Sequence, residues 1–213
     1  MKSTLFNAVS TMALFAVFSA AASADPIDDA APQAISMTGT TSFDGWNNLT
    51  STANPGYPGF PGSGAWPSPI GSNVAGSGDA IVSKVSGNIF PSSTGLYFGS
   101  FTAVPNTNAG TLGVTDSTIV SGLKTVVFQV ETGESMGYDF YNGVLPTLSY
   151  NGGSQALAAT FSDKLVQAPN GTFDSPVGPQ PLYVNLWALQ WDLSSIVDPI
   201  TSLNISFNGV THS

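Results

Sequence analysis

The chain has 213 residues, with 13 Asp and Glu set against four Lys, no Arg, no Cys and a formal net charge of −9. Nucleic acid is excluded as a partner, because phosphate contacts need Lys and Arg, and anionic membrane surfaces are disfavoured for the same reason. Without Cys there is no disulfide scaffold, no thiolate metal site and no Cys nucleophile, so the fold rests on its core.

Residues 1–24 read as a secretory signal peptide. Lys2 supplies the positive start, Leu5 to Ala22 is mostly apolar, and Ala22-Ser23-Ala24 is a small-x-small cleavage site before Asp25. The apolar run is short for a spanning helix, and no later stretch is long enough to cross a bilayer. The processed chain would have 213 − 24 = 189 residues and a net charge of 3 − 13 = −10, since residues 1–24 contain one Lys and no acid. Its lack of Cys suits a bacterial extracellular protein. Residues 25–34 are acidic and contain Pro; they read as a flexible leader.

From residue 35 onward the dominant signal is alternation with a period of two, which predicts strands. In "ISMTGTTSF" Ile35, Met37 and Phe43 share a parity. "AIVSKVSG" from Ala80, "GLYFGSFTAV" from Gly95 and "LKTVVFQVET" from Leu123 follow. "SMGYDFY", "LPTLSY", "QALAATFSD", "LYVNLWALQWDL" and "SLNISFNG" continue the pattern. In "LYVNLWALQWDL" both faces are apolar, which predicts a central strand with Trp187 and Trp191 in the core. In "SLNISFNG" Leu203, Ile205 and Phe207 face one way and three polar residues the other, which predicts one wet face. Turn residues separate the strands at "NAG", "NGG", "PNG" and "SPVGPQP". The expected fold is all-β: a two-sheet antiparallel β-sandwich of jelly-roll type spanning 35–213.

One stretch stands apart. "NPGYPGFPGSGAWPSP", Asn54 to Pro69, holds five Pro, four Gly and three large aromatics. Collagen is ruled out because Ala65 breaks the Gly spacing. The run reads first as a stiff loop whose aromatics fold down as a lid on the sandwich. The alternative is a carbohydrate platform in which Trp46, Tyr57, Phe60 and Trp66 offer flat ring faces.

Candidates for chemistry are few. The sole His, His212, sits at a chain terminus where mobility would make it a poor base, and a zinc site or a Ser–His–Asp triad would depend on it. Glu131 and Glu134 are the only Glu residues; converging at a turn they would make a glycosidase pair, while a solvated strand end is the simpler reading. A uronate lyase lacks an Arg to neutralise its substrate. Calcium is favoured over a transition metal, with oxygen donors at Asp79, Asp116, Asp163 and Asp174 and no assignable ligand set.

Phe60 to Gly99, "LKTVVFQVETG" and "LWALQWDLSSIVDPITSLNISFNGVTHS" resemble bacterial secreted proteins of the PEP-CTERM-sorted type. The resemblance covers most of the chain after residue 24. It implies export, surface or matrix association and a β-rich ectodomain, and it supplies no catalytic residues. It also implies a further strand, a Pro-Glu-Pro motif and an Arg-rich tail after "THS", none of which this sequence contains. The domain is therefore expected to lack its last strand, to leave an open edge and to self-associate. The reading is a secreted, non-catalytic cell-surface or extracellular-matrix protein, with polysaccharide or matrix as partner. A carbohydrate-binding module is the alternative, and a glycoside hydrolase a third reading.

Overall fold

A computed structural model describes residues 10–16, 37, 39–102, 104–175 and 178–213. Among them there are thirteen strands and a single 3-10 turn, Tyr141–Gly143. The strands are β1 Ser10–Ala16, β2 Thr40–Asp44, β3 Ile70–Gly71, β4 Ile81–Gly87, β5 Ile89–Pro91, β6 Leu96–Phe98 and β7 Asn108–Asp116. They continue as β8 Leu123–Gly133, β9 Thr147–Tyr150, β10 Leu157–Ala158, β11 Phe161–Ser175, β12 Gly178–Asp192 and β13 Leu203–Val210. No helix of the described residues is long and apolar enough to cross a membrane.

Two sheets face each other. One has the order β11-β12-β8-β1-β2 and the other β10-β9-β13-β7-β4-β3; β5 and β6 form a separate hairpin. The core lies between them. Val126, Phe128, Val130, Leu189 and Trp191 meet Val82, Leu112, Val114, Leu148, Ile205 and Phe207 in one buried cluster. The Phe128 and Phe207 rings, one from each sheet, lie 6.2 Å apart. The fold is thus the expected all-β sandwich, and its pairs are antiparallel with one exception: β1 runs parallel to both β8 and β2.

The alternating strands behave as their sequences predict. In β13 Leu203, Ile205 and Phe207 are buried, with half-buried Asn204, Ser206 and Asn208 between them. β12 is central, paired to β11 on one side and β8 on the other, and it buries Leu189 and Trp191 on one face and Val184, Leu186 and Ala188 on the other. Trp191 is a core residue as expected. Trp187 is half-buried, its ring covered by Lys164 and Phe140.

Other readings need correction. "SMGYDFY" is a tight turn closed by a Ser135–Tyr138 bridge, because Met136 and Gly137 take positive φ. Only Leu96–Phe98 of "GLYFGSFTAV" forms a strand. "NAG" opens β7 instead of making a turn, and "PNG" lies within β11. The expected start of "ISMTGTTSF" falls outside the described residues apart from Met37, and the strand begins at Thr40. "SLNISFNG" forms β13, which pairs with β7 from Leu203 to Val210 and with β9 over Leu203 to Ser206, and Asn208 accepts a 2.6 Å hydrogen bond from the Thr111 hydroxyl.

β7 is the strand that the sequence conceals. Its sequence is "NAGTLGVTD", of which "NAG" reads as a turn, yet the strand is central between β13 and β4. The glycines are there because backbones crowd. A Cβ on Gly87 would sit 2.2 Å from the Ala109 carbonyl oxygen, and one on Gly110 would sit 2.4 Å from that of Ser86. Side chains are excluded where β4 and β7 close upon each other, and the strand signal goes with them.

Candidate functional site

The end of the sandwich near the β8–β9 connection carries the densest polar chemistry. Asn185 of β12 is completely buried. Its amide donates to Asp139 Oδ1 at 2.6 Å and to Glu134 Oε2 at 3.1 Å. The Thr132 hydroxyl donates to Asp139 Oδ1 at 2.9 Å, and Lys164 Nζ lies 2.9 Å from Asp139 Oδ2 and 3.9 Å from Glu134 Oε2. Gln167 donates to Glu134 Oε2 at 3.3 Å. Strand register brings the group together: Asn185 lies opposite Thr132 across β12 and β8, and Lys164 lies opposite Trp187 across β11 and β12. The tight turn after Gly133 then returns Glu134 and Asp139 to the same end.

Beside this network a cavity of about 160 Å³ opens between the sheets. Leu112, Val130 and Phe207 line it with apolar surface, while Tyr97, Glu131, Thr132 and Asp139 supply polar groups. Such a combination suits a small neutral ligand that carries hydroxyls. A free anion would meet the carboxylates of Glu131 and Asp139. Glu131 lines the cavity and Glu134 does not, so the two Glu residues are not brought into one cleft.

His212 is not mobile. Its Nε2 lies 2.9 Å from the Thr102 carbonyl oxygen, to which it must donate, and Nδ1 then accepts from the Tyr97 hydroxyl at 2.9 Å. The backbone beside it is also held, with His212 N–H donating to the Phe98 carbonyl and Phe98 N–H to that of Ser213. Burial raises the Tyr97 hydroxyl above its usual pKa. The pair ties the terminal residues to β6.

The four aromatics expected to share a platform are distributed. Trp46 is a correction: it is fully buried, its Nε1 donates to the Ile70 carbonyl at 3.1 Å, and no ring face reaches solvent. Tyr57 and Trp66 pack against the core edge-to-face, 5.3 Å apart at 73°, so they present no common plane. Trp66 Nε1 donates to the Ile89 carbonyl and Tyr57 Oη to that of Ser68, each at 2.8 Å. Phe60 is exposed and meets an unforeseen partner, Phe101, at 5.0 Å; Phe101 is 83% exposed. The Pro/Gly run packs Tyr57 and Trp66 against the core and leaves Phe60 exposed. Lys84 holds the run by donating to the carbonyls of Gly62 and Gly64, a role nothing in its local sequence signals.

Of the calcium candidates, Asp163 is exposed, and the Asp174 side chain lies outside the described residues. Asp79 accepts from the Thr118 hydroxyl. Asp116 is buried and accepts the Thr118 N–H at 2.8 Å; a further buried acid, Asp44, accepts the Ala80 N–H at 3.0 Å. No group of three His, Cys, Asp or Glu side chains among the described residues is placed to hold a metal ion.

Burial raises the carboxyls of both Asp44 and Asp116, and the neighbouring acids add to the effect. Because the folded pKa lies above the unfolded one, each ionised carboxylate costs stability above its folded pKa. That cost fades as pH falls through the raised value toward 3.8, the unfolded value. Asp116→Asn keeps an oxygen for the Thr118 N–H and removes the charge. It should raise the thermal midpoint at pH 7, and the gain should fade as pH falls through the raised folded value and be gone below 3.8; a gain independent of pH would show that charge is not the cause.

Compared with protein-family models, with characterised proteins and with solved structures, the chain matches none of them.

Proposed function

We infer that the protein is an exported, non-catalytic β-sandwich that serves as a cell-surface or extracellular-matrix component. The observation that carries this reading is that the side chains suited to acid–base chemistry are spent on structure. Asp139 is held by Lys164, Asn185 and Thr132, Glu134 by Asn185 and Gln167, and His212 by Tyr97 and Thr102. Groups held by several internal partners in this way anchor loops. Export rests on the signal-like residues 1–24 and on the resemblance to PEP-CTERM-sorted proteins. The jelly-roll topology belongs to the same reading, supported by a chain that passes between the sheets at β7–β8, β8–β9 and β12–β13.

A second reading, carbohydrate binding, is favoured by the exposed Phe60–Phe101 pair, whose rings offer apolar area to sugar faces.

Expression in a bacterial host followed by N-terminal sequencing tests export: the product in the medium should begin at Asp25. A product that keeps Met1 in the membrane fraction would overturn export. Retention on cellulose, chitin and xylan separates the two functional readings. The structural protein should pass through unretained. A binding module should be retained, and Phe60→Ala with Phe101→Ala should weaken that retention about tenfold or more, since stacked rings contribute on the order of 1–2 kcal/mol.

A further inference from the structure

β8 has a strand on each side. β12 pairs with it over nine residues, Thr125 to Gly133. On its other side lies β1, aligned in parallel from Thr11 opposite Thr125 to Ala16 opposite Val130. β2 joins the sheet only through β1. A slot one strand wide therefore lies between β8 and β2, and its occupant comes from the segment that reads as a removable export signal.

β1 is the first of the described strands, so its departure breaks no link to an earlier strand, although it leaves β2 without its pairing partner. Its departure would bare the side of β8 that β1 now covers. Residues Val126 to Glu131 of β8 are buried in an unbroken run of six. Backbone N–H and C=O groups at such a position cost about 1–3 kcal/mol each when unpaired. β2 is a poor substitute, since it offers five residues where β1 offers seven.

We propose that once residues 1–24 are removed this slot accepts an extended, uncharged strand from another polypeptide, in the parallel alignment that Ser10–Ala16 adopts. The proposal rests on the export reading above. The chemistry of the partner follows from the resident strand, "STMALFA": seven residues without charge, in which apolar Met, Leu and Phe alternate with or adjoin small Ser, Thr and Ala. It follows also from charge, because a chain of net charge −9 with Glu131 at the far end of the slot disfavours an acidic strand. Main-chain hydrogen bonds supply affinity in such strand addition, and alternate side chains supply selection.

The test uses the full chain with a specific protease site placed after Ala24. The folded protein is cut, the N-terminal piece is displaced in mild denaturant, and a labelled synthetic peptide of the Ser10–Ala16 sequence is added. Displacement should speed hydrogen exchange at residues 123–133 by about 100-fold, as for a core strand that becomes an edge. The peptide should bind one per chain and restore the original protection. The same peptide with Leu14→Asp should bind at least about tenfold more weakly, as expected for a charge beside a buried strand.

Unchanged protection of β8 after displacement, with no peptide uptake, would overturn the proposal, because β2 would then have closed onto β8. A dimer of the cut chain with β8 protected would also overturn it, because a second copy would then fill the slot. The engineered cut does not depend on natural processing. Retention of Met1 in the exported-protein experiment would therefore remove the export reading while peptide exchange still reported on the slot.

Discussion

Trp191→Ala should destabilise the protein by about 3–5 kcal/mol, the range for losing a large aromatic from a packed core. Trp191 is 1% exposed and lies opposite Val126 on the inner face of the sheet. Its ring fills space that the facing strands cannot collapse into. Its Nε1 also donates to the Leu157 carbonyl at 3.0 Å, which ties β10 to β12, and truncation leaves that acceptor without its donor. Trp187 offers the contrast on the same strand. It is half-buried, and its Nε1 is buried with no partner. Trp187→Ala should cost less than Trp191→Ala, and Trp187→Phe should stay within about 1 kcal/mol of the parent, because it removes an unsatisfied donor along with some apolar area. Urea unfolding midpoints at constant m-value check the ranking. Equal costs for the two alanine variants would mean that the inner face of β12 is uniformly packed, contrary to its burial.

Lys164→Met should cost about 2–3 kcal/mol, less than the 3–5 kcal/mol typical of a fully buried pair because the Lys164 side chain is 28% exposed. The methionine keeps the apolar stem over Trp187, where Lys164 Nζ now lies 5.3 Å from the ring centroid. What is lost is the Lys164 charge beside Asp139 and Glu134. Two carboxylates that share the Asn185 amide would then face each other uncompensated. Adding Asp139→Asn should recover most of the loss, since it removes the charge left unpaired; the resulting double-mutant cycle isolates the ion pair from packing. A double variant no more stable than Lys164→Met would assign the cost to the stem and its contact with Trp187.

The Lys164 experiment probes an end of the sandwich that sequence reading approached from the wrong residues. The pair Glu131 and Glu134 attracts attention because they are the only Glu residues. The partner that organises the end is Asp139, eight positions beyond Glu131, with Asn185 and Lys164 from two other strands. Their convergence is a matter of register between β8, β12 and β11, and register between strands far apart in sequence leaves no local trace. Trp46 misled for a related reason. An aromatic beside Gly and Asn looks like a loop residue, while its burial depends on the carbonyl of Ile70, 24 residues away.

The sequence by itself determined the all-β class, the absence of a Cys framework, the two apolar faces of β12 and the inward face of β13. Each follows from side-chain alternation or backbone restriction, which act within a few residues. Tertiary structure alone decided that Gly- and Thr-rich β7 is central, because its glycines answer to the approach of β4. It alone anchored His212 to Tyr97 and Thr102, more than 100 residues away in the chain. It alone placed Ser10–Ala16 between β8 and β2. These outcomes arise from pairing between distant segments, where the governing quantity is which backbone groups and faces remain to be satisfied once the local elements have formed.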